Sequence, residues 1–309
     1  MGRASKDKRD VYYRKAKAMG YRARSAFKLQ ALDEEFDLLS NATNIIDLCA
    51  APGSWSQYIA RRLRELKREN EATVVAIDLQ ALNPIQGIHM LQADITKPET
   101  LEAVSELFGG LRADIVLSDG APDVTGLHDL DEYVQATLVL AALNFALLML
   151  KPGGAFVAKV FRQKDTDLLY SQLKIFFPDI VICKPRSSRN SSIEAFVVCR
   201  AFTPVEGYVP SILSPEPGEN QCAEQLSAVN RIIVPFLSAG DLSGFDADMS
   251  YPLAPDAEVL APVMPPKSPP YLKALEIQRG RLGVPSNSTS NLAKLDIDGD
   301  AESNTDIGS

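Results

Sequence analysis

Seven short apolar runs punctuate residues 45–200: Ile45–Cys49, Val74–Ile77, Ile88–Leu91, Ile115–Leu117, Phe156–Val160, Ile180–Lys184 and Ala195–Cys199. Between most of them the apolar positions fall back to a helical period, at 54–69, 99–108, 130–150 and 166–177. Continuous apolar runs of this length suit strands covered on both faces, and strands alternating with helices wind into a mostly parallel sheet. The pattern therefore predicts an α/β fold, a doubly wound seven-stranded sheet flanked by helices. Two further helices, near 8–19 and 25–38, are expected ahead of it. In such sheets ligands bind beyond the carboxyl ends of the strands. The polar residues that follow each strand are thus the candidates for chemistry.

After Ala201 Pro becomes frequent and the periodicity fades. This divides the chain into a main domain over 1–205, an extension over 206–260 and a tail over 261–309 that is expected to be disordered, its end being rich in Ser, Asn and Asp. Within the extension, 231–252 (RIIVPFLSAGDLSGFDADMSYP) keeps enough apolar content to pack on the core or on a partner. The uncharged stretch Tyr133–Leu150 has the length of a membrane span, but Gln135, Thr137 and Asn144 interrupt it and LKPGG closes it. A helix buried against the sheet, with no membrane partner, is the better expectation. The N-terminal MGRASKDK lacks an apolar signal stretch and misses the myristoylation pattern by one position.

Charge changes the picture in one respect. The net charge is −8, yet residues 1–28 carry ten Lys/Arg against two Asp/Glu, and residues 210–309 carry six against fourteen. An acidic protein repels nucleic acid, but a local basic arm still holds a phosphate backbone. Residues 1–38 are therefore read as basic RNA-binding helices, with Tyr12, Tyr13, Tyr21 and Phe27 as stacking candidates. The four Cys (49, 183, 199, 222) form no C-x-x-C pair and only His89 and His128 are present. A zinc site or disulfide framework is not expected, and a reducing, cytoplasmic compartment fits.

The first strand and its turn read IIDLCAAPGSWSQ, residues 45–57: an apolar strand ending in Asp47, a small-residue turn with Gly53, and a helix opening at Ser54, a candidate N-cap. No GxGxxG and no GxxxxGK[ST] is present, which weighs against dinucleotide and P-loop readings. The second strand ends at Asp78, the third runs to Asp94 and the fourth to Asp119. Carboxylates at the same end of four successive strands suit a cationic ligand that carries a ribose and an adenine. Ribose hydroxyls would donate to Asp78, and an adenine edge would meet Asp94. Trp55 serves equally as a cofactor contact or as core.

CAAPGSWSQ, SDGAPDVTG, AFVAKVFR and RNSSIEAFVVC together make residues 20–200 resemble the FtsJ-like ribose 2′-O-methyltransferases. The resemblance implies a Rossmann-like fold and S-adenosyl-L-methionine (SAM) as cofactor, with contacts at Gly53, Trp55, Asp78, Asp94 and Asp119. It also implies a Lys-Asp-Lys-Glu tetrad, matched here by Lys28 in SAFKL, Asp119 in SDGAPD, Lys159 in VAKVF and Glu194 in SIEAF. Methyl transfer from a sulfonium is an in-line displacement, so the protein has to align the 2′-oxygen and manage its proton. A lysine at the reacting oxygen does either, according to its protonation state, and Lys159 is the expected centre. The loop Lys184–Ser192 (KPRSSRNSS) is rich in donors suited to phosphate oxygens, or is simply a flexible polar loop.

CAAPG also occurs in RNA cytosine-5 methyltransferases, but those need a Cys presented after Pro or Thr, and no Cys here follows either. A base amino-methyltransferase would need an Asn/Asp-Pro-Pro-aromatic turn, which DGAPD is not. Within the resembled family, GRASKDKRDVYYRKAK and RIIVPFLSAGDLSGFDADMSYPL look like the eukaryotic cytoplasmic tRNA branch. That implies methylation of anticodon-loop positions 32 and 34 of tRNA, each directed by an auxiliary protein of HEAT/armadillo-like or WD-repeat architecture. A ribosomal-RNA methyltransferase and a non-catalytic RNA-binding scaffold are the alternatives.

Overall fold

A computed structural model describes residues 10–121, 128–162, 166–210, 229–232, 249–252 and 271–279. The elements in chain order are α1 (Val11–Ala18), α2 (Ala26–Phe36), β1 (Asn44–Leu48), α3 (Ser54–Glu65), β2 (Thr73–Asp78), β3 (His89–Gln92), α4 (Pro98–Leu107) and β4 (Ala113–Ser118). They continue with α5 (His128–Met149), β5 (Leu150–Phe161), α6 (Thr166–Phe176), β6 (Asp179–Cys183) and β7 (Glu194–Arg200), then a 3₁₀ turn at Asn230–Ile232 and α7 (Leu272–Gln278).

The strands form one sheet in the order β3-β2-β1-β4-β5-β7-β6. The β1–β5 ladders are parallel, and β7 runs antiparallel to both of its neighbours. The mostly parallel seven-stranded sheet read from the apolar runs is thus present. β1 is buried at every position, whereas β3 and β6 alternate between partial burial and exposure. This is the contrast expected of central and edge strands.

Alternation along the strands separates two apolar layers. Ile46, Leu48, Val75, Ile77, Val116 and Phe156 point toward α4, α5 and α6, through Val104, Phe145 and Leu173. Ile45, Val74, Ile115, Leu117, Val157, Phe196 and Val198 point the other way, toward α1–α3, through Ala16, Leu29, Leu32, Trp55 and Ile59. The N-terminal helices are therefore structural lids on the sheet. Tyr21 and Phe27, 8% and 4% exposed, belong to that layer and are not stacking platforms for RNA. Tyr12 packs on Phe27 at 5.7 Å between ring centroids.

Three boundaries moved for identifiable reasons. The helix expected over 54–69 ends at Glu65, where Lys67 turns to φ +58° and the Arg68 amide reaches back to the Leu63 carbonyl, 2.9 Å. β5 begins at Leu150, earlier than the apolar run, because Leu150 pairs with Ala113 ahead of a register shift. In the tail expected to be disordered, Leu272–Gln278 forms a helix free of Pro and Gly.

The chain divides into two compact units, 1–244 and 245–309. In the first, the extension is tied to the chain leaving the sheet: the Val209 amide donates to Asn230 Oδ1 at 3.0 Å and Asn230 Nδ2 donates to the Val209 carbonyl at 3.1 Å. In the second, the described residues are 249–252 and α7 with its flanking residues. Of the apolar segment 231–252, residues 233–248 lie outside the described residues, as does 280–309. No helix among the described residues is long and apolar enough to cross a membrane.

Candidate active site

The register of the central strands builds the site. Asp47 on β1 lies opposite Ala76 on β2 and Leu117 on β4, and Leu117 lies opposite Val157 on β5. Two residues further along each strand come Asp78, Asp119 and Lys159. Side chains two apart share a face, so Asp47, Asp78, Asp119 and Lys159 all stand on the α1–α3 side, at the carboxyl ends of the parallel strands. β7 completes the row from the antiparallel direction, with Phe196 opposite Lys159 and Glu194 opposite Phe161.

Two ion pairs occupy this row. Lys159 Nζ lies 3.1 Å from Asp119 Oδ1 and donates to the Asp119 carbonyl at 2.8 Å. Lys28, from α2, donates to Glu194 Oε2 at 2.6 Å. All four side chains are between 9% and 16% exposed. Burial alone would raise the Glu194 carboxyl, but Lys28, a hydrogen bond from Ser188 Oγ at 2.7 Å and the Lys159 charge together hold it below the usual range. The residues of the expected tetrad are thus brought together in one largely buried cluster, joined electrostatically through Lys159 and Glu194.

The small-residue turn after β1 is organised by groups of its own. Gly53 sits at φ +101°, and its amide reaches the Ala50 carbonyl at 2.6 Å. It is the N-cap of α3, so the capping role expected of Ser54 is displaced by one residue. Ser54 is already helical and its hydroxyl meets that of Ser25 at 2.5 Å. A Cβ on Gly53 would lie 2.6 Å from Arg22 Nη1. That guanidinium donates to the carbonyls of Pro52 (3.0 Å), Asn83 (2.8 Å) and Pro84 (3.1 Å). Gly53 is therefore demanded twice, by its dihedral and by Arg22.

Asp78 accepts the Ala51 amide on Oδ2 and the Gln80 amide on Oδ1, each at 2.8 Å. It fixes the turn, and each oxygen keeps a further acceptor position. Asp94 lies two residues beyond β3, where Oδ1 takes the Thr96 amide and hydroxyl at 2.8 and 2.7 Å and leads the chain into α4. Trp55 is 1% exposed, packs on Phe196 at 5.8 Å and gives its indole N–H to the Ser25 carbonyl at 3.0 Å. Of the two roles the sequence left open for it, the side chain takes the packing one.

Other groups bear on the site that the sequence did not single out. Gln135 Nε2 bridges the Gly120 and Lys159 carbonyls at 3.2 and 2.8 Å, pinning the ends of β4 and β5. Its signal was a polar residue inside an apolar helical run. Arg22 left no signal, because the partners of its guanidinium are backbone carbonyls, and Ser188, inside the polar loop read as a phosphate-binding candidate, turns instead to Glu194. The Lys184–Ser192 loop is not a free polar loop. Ser187 and Ser188 are buried, Lys184 donates to the Ser192 carbonyl, and Arg24 joins the Ser187 carbonyl to Asp10. Residues 122–127, which include the remainder of SDGAPDVTG (122–126), lie outside the described residues. Among the described residues no group of three or more His, Cys, Asp or Glu could hold a metal.

The row suits SAM on chemical grounds. Carboxylates at the ends of β2 and β4 suit a cation and ribose hydroxyls, and the first amides of α3 favour a carboxylate. Asp47 adds a buried oxygen, Oδ1, without a hydrogen-bond partner.

Comparison with known proteins agrees. The FtsJ-like methyltransferase family model matches residues 21–202. The tRNA (cytidine(32)/guanosine(34)-2'-O)-methyltransferase of Homo sapiens is 53% identical over 285 residues, spanning 90% of this chain and 86% of its own length. Its Schizosaccharomyces pombe counterpart is 50% identical over 289 residues, 91% of this chain and 99% of its own. Ribosomal RNA large subunit methyltransferase E of Methanothrix thermoacetophila is 40% identical over only 194 residues, 63% of this chain and 73% of its own. A solved structure described as a ribosomal RNA methyltransferase of Plasmodium falciparum superposes with TM-score 0.53 at 28% identity, covering 59% of this chain and 98% of that one.

Proposed function

The chain belongs to the FtsJ-like methyltransferase family, and from that premise we propose that it methylates the ribose 2′-hydroxyls of tRNA anticodon-loop nucleotides 32 and 34, with SAM as cofactor. The observation that carries the chemistry is the paired row Lys28–Glu194 and Lys159–Asp119 at the carboxyl ends of the strands. The tRNA assignment rests on relatives named for that reaction that match about nine-tenths of the chain. The ribosomal-RNA relative matches less than two thirds of it.

SAM supplies a methyl group on a sulfonium when bound. Asp78 and Asp119 are positioned to hold its polar groups, with Asp94 and the Gly53 turn completing the pocket. Lys159 is the group offered to the 2′-oxygen. It donates to the Asp119 carbonyl and pairs with Asp119 Oδ1, and so acts as a donor that orients the oxygen and stabilises alkoxide character while the O–C bond forms, the methyl–sulfur bond breaks and the hydroxyl proton passes to water. Asp119 aims it through one carboxylate oxygen and one carbonyl. Glu194, kept ionised by Lys28 and Ser188, adds a second negative charge to the row. Lys28 positions Glu194. Auxiliary repeat proteins that select nucleotide 32 or 34, and work in the cytoplasm, complete the reading. They accord with the tRNA resemblance of the segments at 2–17 and 231–253.

The test is to map 2′-O-methyl sites in total RNA with and without the gene. Loss confined to positions 32 and 34 of tRNA is expected. Loss in ribosomal RNA instead would overturn the substrate assignment.

A further inference from the structure

The row leaves one titratable group without a task. Asp47 is 0% exposed, one residue from the end of β1, and sits one step beneath the row that holds Asp78, Asp119 and Lys159. Ser56, from the first turn of α3, donates to Oδ2 at 2.5 Å, and Oδ1 has no hydrogen-bond partner. Among the described residues no cation pairs with it. The charged groups that act on it from neighbouring strands include Asp119 and Asp78, both negative, while the one ammonium of the row, Lys159, is held by Asp119. From its own strand end, the Cys49 thiol is pushed up by burial to about 12 and stays neutral. A full charge at Asp47 is therefore opposed by burial and by two carboxylates, and the one hydrogen bond that favours it comes from Ser56. Burial first, then Asp119 and Asp78 against the Ser56 hydrogen bond, raise its carboxyl to about 7.

A buried acid balanced near neutrality, beside the carboxylates that would receive a cationic ligand, responds to that ligand's charge. We propose that Asp47 reads the charge on the cofactor's sulfur, shedding a proton when the sulfonium form is bound and keeping it when the neutral demethylated form is bound. The inference rests on SAM being the cofactor. SAM and S-adenosylhomocysteine differ by one methyl and one positive charge, so the contrast between them isolates this response. The proton exchanges with solvent and no covalent step is involved. In function, the site would favour SAM and release the demethylated product, the preference growing as pH rises through neutrality.

Calorimetric titration of the full chain with SAM and with S-adenosylhomocysteine, in buffers of different ionisation enthalpy, counts the protons exchanged. At pH 7 SAM should release up to about half a proton more than its demethylated form, since the free acid is about half ionised there. The ratio of the two affinities should climb with pH between 6 and 8, by at most about tenfold per unit. Asp47→Asn should abolish both the proton difference and the climb. Ser56→Ala removes the hydrogen bond that favours the ionised form, so it should move the midpoint of the climb to higher pH. It serves as the independent test should Asp47→Asn fail to fold. Equal proton counts for the two ligands in the unaltered protein, or an unmoved midpoint in Ser56→Ala, would overturn the proposal and leave SAM binding intact. Failure of both ligands to bind would instead overturn the cofactor reading on which it rests.

Discussion

At the scale of single residues, position in the row separates reacting groups from supporting ones. The Lys159 ammonium meets the carboxylate and the carbonyl of Asp119. Lys159→Ala should therefore lower single-turnover methyl transfer by about 10²–10⁴-fold, the usual worth of a positioned proton-handling group. SAM affinity by titration should stay near normal, and near-normal turnover would sink the assignment. Asp78 demands a subtler pair of variants, since it serves the Ala51 amide as well as the proposed cofactor contact. Asp78→Ala removes both roles. Asp78→Asn keeps an acceptor for Ala51 but lacks the charge. Losing a hydrogen bond to a charged group costs about 1.5–3 kcal/mol, roughly a 10- to 100-fold loss of SAM affinity. If Asn restores full affinity, Asp78 is a structural clasp and the ribose assignment is wrong. The four residues that the row brings together could be named from the sequence because each sits in a distinctive string. It did not reveal how Trp55 is used, since a lone Trp before a buried helix face reads the same either way until its N–H partner, Ser25, is seen.

At the scale of elements, β1, β4 and β7 were legible to within one or two residues because both of their faces are covered, so their apolar runs are unbroken. The clasp that sets the start of the sheet was not legible. Asp114 lies at the start of β4 and reaches across to the chain entering β1. Its Oδ2 accepts the Thr43 amide (2.7 Å), the Thr43 hydroxyl (2.6 Å) and the Asn44 amide (2.8 Å), and Lys151 of β5 pairs with Oδ1. Burial works against the charged form, but Lys151, Thr43 and Asn44 outweigh it and bring the carboxyl down to about 2. With the folded value below the unfolded one, this contribution is complete above the ordinary carboxylate range. It is lost as pH falls from about 4 to about 2. Asp114→Ala should destabilise the protein at pH 7 by about 2 kcal/mol, as read from urea unfolding. The gap to the unaltered chain should close as the pH approaches 2. A gap that stays constant with pH would mean that the loss is one of packing and not of charge.

At the scale of the whole molecule, the arrangement of charge decides how an acidic protein meets RNA. Of the ten basic residues in 1–28, three are committed inside the fold. Lys28 is held by Glu194, Arg24 by Asp10, and Arg22 by three carbonyls around the cofactor turn. Lys15 and Lys17 are exposed on α1, where each lies over an aromatic ring of the same lid, Phe27 at 5.0 Å and Tyr13 at 4.8 Å. A cation–π arrangement of that kind leaves an ammonium free to donate to a phosphate while limiting where it wanders. The arm at 1–9, which lies outside the described residues, carries Arg3, Lys6, Lys8 and Arg9. Neutralising these four together with Lys15 and Lys17 should flatten the dependence of log tRNA affinity on log salt, by about 0.7–0.9 for each phosphate that is no longer neutralised. Arg22→Ala, by contrast, should leave the salt slope alone and weaken SAM binding, because its work is to hold the Gly53 turn. If the six-fold variant keeps the original slope, the basic segment is a solvated helix and the phosphates are held elsewhere. If Arg22→Ala flattens the slope by as much as one phosphate's share, then even the guanidinium that closes the cofactor turn reaches the RNA backbone, and the cofactor and substrate sides of the site are not separate.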